Sequence, residues 1–142
     1  MLPDENTQRF IAILNKKIET GKLMNALGHM TAGLAGGYGQ AHEMHFLEYR
    51  DKDGGKHPHI SHFPFIVLKA ENSNQIRKIR NEALTKNILF TDFTSTMTVG
   101  TSAEQQERTA NTREVELEYY GICLFGNTQE LREFTGKLSL FN

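Results

Sequence analysis

Lys22, Asn25 and His29 lie at helical spacing within Gly21-Lys22-Leu23-Met24-Asn25-Ala26-Leu27-Gly28-His29-Met30. A helix turns about 100° per residue, so the three side chains share one face. An ammonium, a carboxamide and an imidazole on one stripe could stabilise an oxyanion, donate a hydrogen bond and carry a proton. Leu23, Leu27, Met30 and Leu34 form a second, apolar stripe that suits packing on a sheet. The polar stripe alone is equally well explained as a solvated helix face. Lys22 tips the reading, because a cation in the first turn opposes the partial positive charge of a helix N-terminus. Such a cation serves an incoming anion better than it serves stability. Thr20 is the expected N-cap, with Gly21 just after it.

A second concentration is Thr91-Asp92-Phe93-Thr94-Ser95-Thr96-Met97-Thr98. By itself it is the hydroxyl-rich end of a strand. Set beside Lys22 and His29, it adds the Asp92 carboxylate and the Thr94 and Thr96 hydroxyls. The combined set could orient a water, take a proton and stabilise an oxyanion at an ester or amide carbonyl. A third group is His42, His45, His57, His59 and His62, five of the six histidines. Imidazoles suit zinc, nickel or copper, but no cysteine accompanies them and exposed loops carry such spacing often. Neither a metal nor a cofactor is expected. There is no Gly-x-Gly-x-x-Gly, Walker-type loop, Gly-x-Ser-x-Gly elbow or Cys-x-x-Cys. Cys123 sits in an apolar strand, where a thiol is inert.

These groups need a scaffold, and 142 residues with 38% apolar content suffice for one globular domain. No apolar run approaches the roughly 20 residues that cross a bilayer, so no membrane partner is expected. The formal net charge of −1 gives no global sign of nucleic-acid binding; a local basic face leaves that partner open. One cysteine and a polar, acidic start without a secretion or transit pattern suggest a reducing, cytoplasmic setting. Residues 1–8 read as a short mobile tail and 9–142 as a single α/β domain, with a hairpin insertion over 38–62.

In order, the pattern predicts a strand over Phe10–Ile18, then the helix, ending near Gly33, Gly36 and Gly37. A hairpin follows, His45–Arg50 and Lys56–Ser61 around Asp51-Lys52-Asp53-Gly54-Gly55. Pro64–Ala70 is the next core strand. Asn72-Ser73-Asn74 caps a helix to Lys86 buried through Ile76, Ile79 and Leu84. Ile88–Thr94 is a strand, and Ser102–Asn111 a surface helix or mobile loop. Val115–Phe125 is the last strand, and Thr128 caps a helix through Phe134. Thr135-Gly136-Lys137 then interrupts the chain before Leu138–Phe141. This order is that of an α/β sandwich, where ligands gather beyond the strand ends. Lys22 and Asp92 are therefore expected to share one open pocket.

The residues resemble the type II peptidyl-tRNA hydrolases. That family has Gly-Lys followed by a histidine on its first helix, Asp-x-x-x-Thr after a strand, and a Thr-Gly-x-Leu-x-Leu close. Gly21-Lys22 with His29, Asp92 with Thr96, and Thr135-Gly136-Lys137-Leu138-Ser139-Leu140 follow that order. The resemblance spans Phe10 to Phe141 and implies a three-layer α/β/α sandwich around a four-stranded mixed sheet, as a homodimer. It implies an ester or amide hydrolase acting on a small-molecule or tRNA-derived substrate. Lys22 would stabilise the oxyanion or bind phosphate, and Asp92 would orient Lys22 or position water. His29 would assist proton transfer or hold the site's geometry; Thr96, Asn25 and Thr94 would supply hydrogen bonds. Departures favour a branch of unknown function. Ala26 stands at the family's glutamine, Asp92-Phe93-Thr94 replaces Asp-Ala-Gly, and Met97–Glu114 is longer. A binding module for a small anion or nucleotide, without catalysis, is the alternative.

Overall fold

Two stretches of the chain are buried almost without interruption, Phe10–Asn15 and Tyr119–Phe125, and strands of that kind need cover on both faces. In the computed structural model, which describes all residues from Met1 to Asn142, they pair antiparallel at the centre of a four-stranded mixed sheet. The elements are β1 (Gln8–Asn15), α1 (Thr20–Gly36), β2 (Phe46–Arg50), β3 (Lys56–Ser61), β4 (Phe65–Ala70), α2 (Ser73–Thr85), β5 (Leu89–Thr94), α3 (Ser102–Ala110), β6 (Tyr119–Asn127) and α4 (Thr128–Thr135). The sheet order is β4-β1-β6-β5, with β4 parallel to β1 and β5 antiparallel to β6. No helix is long and apolar enough to cross a membrane.

One face is covered by α1, whose Leu23, Ala26, Met30 and Leu34 pack with Ala12, Leu14, Phe93 and Cys123. The other carries Ile76, Ile79 and Ala83 of α2 and Leu131 of α4, against Ile11, Ile13, Ile122 and Leu124. Gly121 of β6 lies opposite Phe93. A Cβ there would stand 2.8 Å from Met30 Cε and 2.9 Å from Leu14 Cδ2, so the bare backbone is what lets α1 approach the sheet.

Several boundaries differ from the sequence expectation, each for a local reason. Thr20 is the first residue of α1, not its cap; Glu19 holds that position without a side-chain bond. The cap of α4 is Asn127, whose carboxamide oxygen accepts from Gln129 and Glu130 N–H at 2.9 and 3.1 Å. Thr128 instead donates its hydroxyl to the Asn6 carbonyl at 2.7 Å and its N–H to Thr7. β6 begins only at Tyr119, because Glu114–Glu116 forms a 3-10 turn that delivers Glu114 to Arg77. Leu84 falls at the margin of the narrow apolar stripe of α2 and is exposed. Segment 102–110 is a helix, closed by a reciprocal capping box between Thr101 and Glu104.

The ends of the chain add to the sheet region. Residues 1–8, expected as a tail, bond through Asn6 and Thr7 to Thr128, and Pro3 carbonyl accepts from the His62 ring at 2.7 Å. Ser139 and Phe141 bond to β4, with Leu140 bridging antiparallel to Leu68. The β2–β3 hairpin forms a separate two-stranded sheet, anchored by the buried Met44 and Phe63 at its base.

Candidate functional site

On α1 the stripe Lys22, Asn25, His29 is exposed along its length. The first helical turn contains no acidic residue, and Lys22, like most lysines of the chain, makes no salt bridge; only Lys16 and Lys86 do. Two adjoining cavities of about 560 and 330 Å³ open beside this stripe. They share Asn25, Phe93 and Thr98; His29 borders the larger and Lys22 the smaller. The connection from β5 and the first turn of α3 form the opposite wall, the helix bringing Ser102 and Gln105 to the larger cavity.

Phe93 is the floor between them. Its ring is buried, stacks on the His29 imidazole at 5.9 Å between centroids with 23° between planes, and leans on Tyr120 at 5.8 Å. Phe93 thus backs the exposed His29 imidazole, whose ring is the flat surface left open under a polar rim. Such a surface suits a planar group of a ligand, while Lys22, Asn25, Thr98 and Ser102 suit its polar end.

Asp92 does not join Lys22. Thr91 donates its hydroxyl to the Met30 carbonyl of α1 at 2.7 Å and Phe93 meets His29, so alternate residues of β5 face α1. Asp92 borders the larger cavity, but its carboxylate turns to α2, where Arg80 Nε donates to Oδ2 at 2.8 Å. The Arg80 guanidinium also lies 5.6 Å from the Phe90 ring centroid. Burial opposes the Arg80 charge, yet the bond to Asp92, with the nearby Tyr119 and Glu114, holds its pKa above the ordinary value. The pocket that Lys22 and Asp92 were expected to share is therefore a cleft with the lysine, and a carboxylate paired on the far face.

Thr94 and Thr96 are also elsewhere. Both are buried, and their hydroxyls bond each other at 2.6 Å, with Thr96 bonded in turn to Thr109 of α3 at 2.8 Å. This chain of hydroxyls fastens the end of β5 to α3, and neither threonine borders the cleft. Of the candidate site residues, the cleft brings together Lys22, Asn25 and His29, with Asp92 at its border and its carboxylate turned to Arg80.

Behind the sheet, Arg77 donates to Glu114 Oε2 at 2.8 Å and to the Leu117 carbonyl at 2.6 Å, and Tyr119 hydroxyl donates to the same carboxylate at 2.7 Å. Burial, then the bond to Glu114, raises the Tyr119 pKa; the same bond, then Arg77, lowers that of Glu114. Arg77 and Arg80 had a readable signal: Arg80 falls on the stripe of Ile76, Ile79 and Ala83, where a charge requires a partner. Thr98 lay in the hydroxyl-rich run Thr91–Thr98; Tyr120, Ser102 and Gln105 carried no signal.

The histidines of the hairpin disperse. His57 bonds Asp51 at 2.8 Å, His62 bonds Pro3, and the His45 and His62 rings stand edge-on to Phe63. No group of three or more His, Cys, Asp or Glu side chains is placed to hold a metal. Burial pushes the Cys123 thiol up to about 12, which rules out a thiolate near neutral pH.

Comparison with solved structures finds a protein of unknown function from Agrobacterium tumefaciens strain C58, 18% identical, with a TM-score of 0.81 over 96% of this chain and 98% of that one. At that identity the likeness is one of fold. No curated protein matches the chain. The family model for the proteins of unknown function termed DUF2000 matches residues 8–142, which takes in the whole sheet, all four helices and the cleft: the chain belongs to the DUF2000 family.

Proposed function

We propose that the cleft between α1 and the end of β5 binds a small anionic ligand with a planar portion. The observation that carries this reading is an exposed Lys22 without an acidic partner beside a floor made by the Phe93–His29 stack. A lone cation near a helix N-terminus is costly unless something negative approaches it. Small carboxylates and nucleoside monophosphates are the ligands to try. In a thermal-unfolding screen, a ligand at one hundred times its dissociation constant adds about 2.7 kcal/mol of stability. Lys22→Ala should abolish that gain while changing the unliganded stability by no more than about 0.5 kcal/mol. No stabilisation of the wild type, or equal stabilisation of the variant, would overturn the reading.

A second reading, hydrolysis of an ester or amide as the resemblance to type II peptidyl-tRNA hydrolases implies, is favoured by one observation. The exposed His29 imidazole borders the same cavity as the Thr98 and Ser102 hydroxyls. In this reading Lys22 stabilises the oxyanion and His29 moves a proton. Asp92 acts only through Arg80 as a positioning residue, and Thr94 and Thr96 fix the wall of the cleft. A tRNA-derived substrate and the homodimer implied by the resemblance belong to this reading alone. Turnover of peptidyl-tRNA or a small ester that falls at least tenfold in both His29→Ala and Lys22→Ala would favour it; binding without conversion favours the first.

A further inference from the structure

At the opposite end of the sheet from the cleft, Arg9 of β1 and Arg132 of α4 converge on a cavity of about 430 Å³ with no apolar lining residue. Neither guanidinium has a carboxylate partner; Arg50, Arg77 and Arg80 do, and Arg108, which also lacks one, bonds the Thr96 and Val99 carbonyls instead. Arg9 Nε is buried and finds no acceptor. Burial, then the charge of Arg132, lowers the pKa of Arg9, so the two cations face each other at a cost that nothing within the chain relieves.

Ordinary structural roles do not account for this pair. A cation toward the C-terminal end of α4 is favourable for the helix, which explains Arg132 alone. Arg9 lies beside Ile11 on the face that α4 covers, where the core is otherwise apolar. Helical spacing turns Glu130 about 160° away from Arg132, and Glu133 is paired with Lys86. The helix N-terminus is not the attraction, because Asn127 already takes the Gln129 and Glu130 N–H groups. What remains is a cavity bordered by the two arginines, with otherwise only uncharged polar residues, Asn6 and Gln129 among them.

We propose that Arg9 and Arg132 form a phosphate-binding site, distinct from the α1 cleft, that takes free phosphate or the terminal phosphate of a small phosphomonoester. Guanidinium forks match phosphate oxygens in pairs. A dianion compensates both charges, whereas a carboxylate or chloride leaves one of them over. Filling the site with a dianion turns the repulsion between the arginines into shared attraction.

The test is calorimetric titration and thermal unfolding of the full chain with inorganic phosphate and with glycerol 3-phosphate, against sodium chloride at matched ionic strength. Both probes are expected to raise the melting temperature more than chloride does. Tighter binding of glycerol 3-phosphate would identify a phosphomonoester as the ligand, and tighter binding of phosphate the free ion. Arg132→Gln should weaken phosphate at least tenfold without lowering the melting temperature of the unliganded protein, because it removes the repulsion. Arg9→Gln should weaken it similarly. Lys22→Ala, at the other end of the sheet, should retain phosphate binding. Equal stabilisation by chloride, an unchanged affinity in Arg132→Gln, or loss of phosphate binding in Lys22→Ala would each overturn the proposal.

Discussion

The two faces of β5 show how differently one strand can use its polar residues. Toward α1, Thr91 closes against a helix carbonyl and Phe93 forms a floor under His29, leaving Lys22 at the rim without a salt bridge. Toward α2, Asp92 is held by Arg80, and next to it Arg77, Glu114 and Tyr119 satisfy one another. Charges that answer each other hold elements together; a charge left unanswered beside open space is available to a ligand. By that measure the side of β5 that meets α2 is structural, and its α1 side is the one that supports the proposed ligand site.

Variants at three places, Gly121, the Asp92–Arg80 pair and Glu114, would break or sharpen that contrast. The largest effect is expected from Gly121→Ala, whose new methyl would press on Met30, Leu14 and the Ile13 carbonyl under α1. Overpacking of this kind costs about 1–3 kcal/mol, measured by urea unfolding, and a cost near the top of that range is expected because α1 must lift. A neutral result would show that α1 rides loosely on the sheet and that the cleft is not fixed by packing. Next, Asp92→Asn should cost about 2 kcal/mol, in the range for a hydrogen bond between charged groups. Arg80→Gln should cost about the same, and the double variant less than the sum. If the two effects simply added, the pair would not be acting as a unit.

The smallest effect concerns Glu114, whose folded pKa is lowered by Tyr119 and then Arg77. As pH falls, the unfolded chain takes up this proton first, near the ordinary glutamate value of about 4.3. The stability Glu114 contributes is therefore complete above that value and is lost as pH drops through the lower folded one. Glu114→Gln should flatten the wild-type fall in stability between about pH 5 and pH 3, followed by urea midpoints. Parallel pH curves for the two proteins would remove Glu114 from the network.

Much of the architecture could be read from local pattern. The alternation on either side of Asp51-Lys52-Asp53-Gly54-Gly55 placed β2 and β3 to within a residue, because turn chemistry and strand period act at short range. The polar stripe of α1 was legible for the same reason. What escaped was set by pairing at a distance. Which face Asp92 takes depends on how β5 registers against β6, and the register shifts again between Phe93 and Thr94, so no local rule places those side chains. The meeting of Arg9 with Arg132, from opposite ends of the chain, is of the same kind. The box between Thr101 and Glu104 was a signal in plain view that the weak apolar pattern of α3 obscured.

The short return of the chain along β4 has a further meaning. Ser139–Phe141 occupy the outer hydrogen-bonding groups of one border strand, and at the other border the Tyr38 hydroxyl takes the Phe90 carbonyl. An uncovered border strand is an invitation to stack with its like. The last few residues therefore act as a seam: trimming them would strip Phe141 from the α1-side core and hand neighbouring molecules a template along which to polymerise.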